Sequence, residues 1–88
     1  MEIDLCVTVK ILFFARSKDL AGTREGTITL PKKLSYQQLL NIVIEKYNLG
    51  SIRNNILLAK NEEVCEETRD IEISETDNIA VIPPLSGG

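Results

Sequence analysis

The chain has 88 residues, ten basic and thirteen acidic, so it carries a formal net charge of −3 and has room for one domain. Hydrophobic residues at 43% and charged residues at 26% are the balance of a folded globular domain and exclude a disordered chain. An isoelectric point near 4.9 leaves no basic stripe for nucleic acid, and the longest apolar run, Ile11 to Ala15, is too short to span a bilayer. Acidic Glu2 and Asp4 stand where a signal peptide would be basic, so the expected location is cytoplasmic, away from membranes. Histidine is absent, and the only cysteines are Cys6 and Cys65. That removes the commonest general base and metal ligand, and with them a self-contained hydrolase, metalloenzyme or cysteine protease.

Cys6 to Phe14 predicts a strand in which Val7, Val9, Ile11 and Phe13 face inward. Thr8 and Lys10 face out, and that outer face turns apolar only at Leu12 and Phe14. Ala15 to Ala21 reads as a short helical turn capped by Gly22, followed by a second strand over Thr23–Leu30 that Pro31 ends. Ser35 and Gln38 form a capping box for the clearest helix. Tyr36, Leu39, Leu40, Val43 and Tyr47 make its buried stripe, Ile42 and Ile44 widen it, and Gly50 is the expected C-terminal cap. A third strand is expected over Ile56–Ala59, a polar turn over Lys60–Glu63 and a short strand at Val64–Cys65. A loose acidic stretch follows through Ile71 and Ile73; Thr76, Asp77 and Asn78 then turn the chain into a last strand, Ile79–Ile82. With the first and last strands side by side and one helix across the sheet, this order predicts an α+β fold of the β-grasp, ubiquitin-like kind over residues 1–82.

Residues 83–88, Pro83-Pro84-Leu85-Ser86-Gly87-Gly88, read as an extended tail. The prolines hold its first part extended. The glycines leave the carbonyl of Gly88 without a neighbouring side chain, which suits a carboxylate that must enter a narrow site on another protein and be attacked there. A frayed terminus without function is the plain alternative.

The ending Asp77-Asn78-Ile79-Ala80-Val81-Ile82-Pro83-Pro84-Leu85-Ser86-Gly87-Gly88 resembles that of the small subunits of molybdopterin synthase, with Pro-Pro-x-Ser-Gly-Gly as its most specific part. Val9-Lys10-Ile11-Leu12-Phe13-Phe14-Ala15, Leu20-Ala21-Gly22, Arg53-Asn54-Asn55-Ile56 and Ala59-Lys60-Asn61 are similar to that family as well. Thr76 departs from a usual glycine, which leaves the turn type there open, and Asn78 departs from a usual acidic residue. The resemblance implies a sulfur carrier in molybdenum cofactor biosynthesis. A ubiquitin-activating-type adenylyltransferase, consuming ATP, would adenylate Gly88, and a sulfur donor would replace AMP to leave a thiocarboxylate. The tail residues Leu85, Ser86 and Gly87 would carry it into the active site of a large subunit, in a heterotetramer. There two sulfur transfers to cyclic pyranopterin monophosphate would build the dithiolene of molybdopterin. No cofactor bound permanently to this chain is implied. Carriers for thiazole synthesis or tRNA thiolation, a modifier joined to lysines, and a plain interaction module are the competing readings.

If the first and last strands are parallel neighbours, Phe14 and Ile82 end at one edge, at the root of the tail. With Leu12 and Val64 they would form an apolar partner surface, whereas Phe14 folded under Ala15–Ala21 would be ordinary core. Glu62, Glu63, Glu66 and Glu67 read as a solvated edge or the counterpart of a basic face on the activating enzyme. Cys6 and Cys65 read as small strand residues, and Lys32 and Lys33 as surface.

Overall fold

The computed structural model describes residues 6–83. Strand β1 (Cys6–Phe13) leads through helix α1 (Ala15–Ala21) into β2 (Glu25–Pro31) and the short β3 (Lys33–Leu34). Helix α2 (Tyr36–Tyr47) follows, then a 3₁₀ helix over Gly50–Asn55, β4 (Leu57–Lys60), β5 (Glu63–Val64), β6 (Ile71–Glu72) and β7 (Asn78–Ile82). The main sheet has the order β2-β1-β7-β4-β5, and β3 pairs separately with β6. β7 lies in the middle, parallel to β1 and antiparallel to β4. This mixed sheet, crossed by one main helix, is the β-grasp architecture.

Alternation builds the inner face. Val9, Ile11 and Phe13 from β1, Ile28 and Leu30 from β2, and Ile79 and Val81 from β7 are buried against α2. The helix answers with Tyr36, Leu39, Leu40, Val43 and Ile44, while Tyr47 and Ile42 are half-buried at its margins. Its start is the expected capping box: Gln38 N–H donates to Ser35 Oγ at 3.1 Å, and Ser35 N–H donates to Gln38 Oε1 at 2.8 Å. Its end differs from expectation. Asn48 adopts the left-handed conformation (φ 61°) and donates its N–H to Ile44 C=O, so the cap precedes Gly50, which opens the 3₁₀ helix instead. Asparagine tolerates that conformation well enough to take glycine's place.

Several boundaries also move. β1 stops at Phe13 and β2 reaches Pro31, whose missing N–H is harmless on an edge strand. β4 runs one residue later than expected and β5 one earlier, because the hairpin between them turns on just Asn61 and Glu62. The stretch read as loose holds β6, where Ile71 pairs with Leu34 and both bury their side chains. Thr76 takes no positive φ. Its turn closes through Asp77 N–H to Ser74 C=O at 2.9 Å, so the glycine of the family pattern is not needed.

Candidate functional site

The residues that matter stand on the sheet face opposite α2. Strand register joins Leu12 to Ala80, Ala80 to Ala59 and Ala59 to Val64, one row running across four strands. Ile82 pairs with Leu57 in the next row. Phe14 N–H donates to Val81 C=O at 3.3 Å and so extends that row beyond β1. Rows at the other end are polar: Thr8 and Thr29 share a hydrogen bond of 2.8 Å, and Lys10 faces Thr27 and Asn78. The outer face is thus apolar at one end only.

Phe14 is 48% exposed, Leu57 41% and Val64 57%. Leu12, Ala80 and Ile82 are half-buried between them, and Ala59 forms a buried floor. Leu12, Phe14, Ala59, Ala80 and Ile82, together with Asn61, Glu62 and Asn78, line a groove along the strands. Phe14 and Ile82 therefore lie together, and Val64 lies at the far side of the same face. Phe14 does not fold under α1. Leu57 belongs with them and escaped the sequence reading, because its place in Ile56-Leu57-Leu58-Ala59 gives no hint of which residue faces out.

A local device turns Phe14 outward. Ala15 takes the left-handed conformation (φ 52°), which costs a non-glycine residue roughly 1–2 kcal/mol. Fully buried Ser17 offsets this: its Oγ accepts from Phe14 N–H at 3.1 Å and lies 2.7 Å from Phe14 C=O and 3.3 Å from Val81 C=O, the acceptors for its proton. One hydroxyl so ties the Phe14 corner to the end of β7. Since β1 and β7 are parallel, β7 ends beside Phe14, and Pro83 leaves from the apolar end of the face. The tail residues Leu85, Ser86, Gly87 and Gly88 lie outside the described residues.

At the opposite end, Asp77 holds the hairpin to β7. Its Oδ2 accepts from Ser74 N–H and its Oδ1 from Asn61 Nδ2, both at 2.8 Å, with Lys60 Nζ 4.0 Å away. The Ser74 amide, then the Asn61 amide, hold this carboxyl below the ordinary aspartate range. Burial pushes the half-buried Cys65 thiol up, which disfavours a reactive thiolate. Among the described residues no group of three or more Cys, Asp or Glu side chains is placed to hold a metal ion, and no helix is long and apolar enough to cross a membrane.

The ThiS family matches residues 11–88. The molybdopterin synthase sulfur carrier subunit of Drosophila simulans is 45% identical over 83 residues, covering 93% of this chain and 92% of that protein. Among solved structures, the small archaeal modifier protein 1 of H. volcanii superposes with a TM-score of 0.71 at 16% identity, covering 90% of this chain and 99% of the other. A chain from the complex of subunits 1 and 2 of the molybdopterin-converting factor of Helicobacter pylori gives a TM-score of 0.65 at 23% identity, covering 92% and 99%.

Proposed function

The chain belongs to the ThiS family and, within it, to the molybdopterin synthase sulfur carrier subunits, and from that premise we propose that Gly88 carries sulfur into a large subunit's active site. A ubiquitin-activating-type adenylyltransferase joins the Gly88 carboxylate to AMP and releases pyrophosphate from ATP. A donor of sulfide-level sulfur then displaces AMP, so that the carbon–oxygen bond to the phosphate breaks as a carbon–sulfur bond forms, and the C-terminus becomes a thiocarboxylate. Inside the large subunit the thiocarboxylate sulfur displaces an oxygen substituent from a side-chain carbon of cyclic pyranopterin monophosphate. Water then cleaves the acyl carbon–sulfur bond, leaving sulfur on the pterin and returning the carboxylate. Two rounds supply the dithiolene. Acids, bases and phosphate-binding groups belong to the partners, in keeping with a chain that has no histidine.

The observation that carries the reading is the coincidence of the tail root with the apolar end of the outer face. A partner that covers Phe14, Leu57 and Ile82 lies beside Pro83, where the tail begins. Apolar anchors placed together on an exposed face are the usual core of a protein interface. Glycines at the tip leave the reacting carbonyl open to the activating enzyme and to the pterin.

The test is the intact mass of a chain tagged at its N-terminus and recovered from its own cells, with its co-purifying proteins identified. One sulfur in place of one oxygen at the C-terminus, together with a molybdopterin synthase large subunit, is the expected result. Removal of Gly87 and Gly88 should abolish both the mass change and cofactor synthesis. Adducts on many lysines without that partner would establish a protein modifier instead.

A further inference from the structure

On the reading just given, a protein partner lies in the outer groove, and one residue of that groove is out of keeping with the rest. Its walls are apolar from Phe14 and Ile82 onward, and they end away from the tail root at Asn61, Asn78 and Glu62. Among the described residues Glu62 is the one ion lining it. Asn61 (φ 52°) and Glu62 (φ 74°) are the two central residues of the β4–β5 turn, both left-handed, as a two-residue hairpin of this twist requires. Asparagine suits the first position. The second is glycine's, and a glutamate there carries strain that glycine would avoid.

Among the described residues no ion pair or side-chain hydrogen bond of Glu62 compensates for that strain. The ion pairs among the described residues are Lys60–Asp77 and Arg69–Glu66, so no cation holds Glu62. Its neighbour Lys60 is engaged by Glu72 C=O at 2.8 Å as well as by Asp77. Lys10 shares the outer face, yet makes no ion pair among the described residues. Glu62 is an exposed carboxylate, on a backbone that does not favour it, at the end of an apolar groove away from the tail root.

We propose that Glu62 is a recognition residue: its carboxylate accepts from a lysine or arginine of the large subunit lying in the groove. This deepens the function proposed above and rests on it. With apolar anchors at Phe14 and Ile82 and an ionic contact at Glu62, the partner is held at both ends of the strip. It can then lie along the strands in one direction only, the one that brings its active site to the tail root. A charged contact of this kind selects orientation and partner more than it adds affinity.

The experiment measures binding of the purified large subunit to the full chain by calorimetry at low and high ionic strength, with melting temperatures recorded in parallel. Glu62→Gln should weaken binding about tenfold at low salt, the size of a lost charge-assisted contact, and the difference should shrink as salt screens the pair. Glu62→Gly should raise the melting temperature while weakening binding as much. A purely structural residue cannot move the two in opposite senses. An unchanged affinity and salt dependence in Glu62→Gln, while Ile82→Asp abolishes binding, overturns the role of Glu62 alone, and so does a lowered melting temperature in Glu62→Gly. Full binding by Ile82→Asp as well overturns the docking face on which both readings stand.

Discussion

Gly26 sits where β2 passes under the ring of Tyr47, and a Cβ built there would stand 2.5 Å from the tyrosine oxygen. The ring has little room to yield. It meets Phe13 edge-on with centroids 4.6 Å apart, and its hydroxyl donates to Thr27 C=O at 2.7 Å. Gly26→Ala should therefore destabilise the domain by about 1–3 kcal/mol, the range for overpacking a filled site. Tyr47→Phe should cost about 1 kcal/mol through the lost hydrogen bond. The double variant should fall short of the sum in urea unfolding, because removing the hydroxyl makes room for the methyl group; strict additivity would mean that the two residues do not meet. No pattern in the sequence points to this contact. A glycine in an alternating strand announces a close approach but not what approaches. Ser17 is similar: its burial follows from the corner it ties, and a serine in Ala15-Arg16-Ser17-Lys18 reads as surface.

Among the elements, α2 was the most legible, since a capping box and a stripe at three- and four-residue spacing are local signals. Gly50 misled because asparagine competes for the left-handed cap and Asn48 comes first in the chain. β3 and β6 were hidden for another reason: each is two residues long, and only pairing between distant segments makes them strands. The turn into β7 is governed by Asp77, whose lowered pKa has a consequence for acid stability. In the unfolded chain an aspartate titrates near about 3.9, so the folded form holds the charge to lower pH. This contribution is complete above about pH 5 and is lost as the pH falls through the folded value. Asp77→Asn should flatten the rise of unfolding free energy with pH between roughly 3 and 5, measured by denaturant titration at several pH values. An equally steep rise in the variant would place the acid sensitivity elsewhere.

For the molecule as a whole, the order of its elements was enough to anticipate a sheet with its first and last strands adjacent. Which outer side chains share a face was harder to read. Phe14 and Ile82 follow from the parallel pairing, but Leu57 depends on the phase of β4, which an unbroken apolar run conceals. The face predicts a separation of folding from binding. Phe14→Ala and Ile82→Asp should change unfolding stability by no more than about 1 kcal/mol, as outward positions do. Each should cost about 2–4 kcal/mol in large-subunit affinity, the range of a central anchor. Loss of stability and affinity in equal measure would make the face part of the core.

The central place of β7 also constrains how the domain comes into being. Lys10 must find Asn78, and Leu58 must find Val81, before the sheet has a middle. β1 and β2 form a hairpin with no such wait, but β4 has no strand between itself and β1 until β7 arrives. Pairings so distant along the chain are slow to close and leave apolar edges bare meanwhile. During synthesis the last strand to emerge is the one that seals the core. A growing chain therefore has no finished outer face until β7 has joined the sheet, and on the function proposed above the large subunit would overlook unfinished copies.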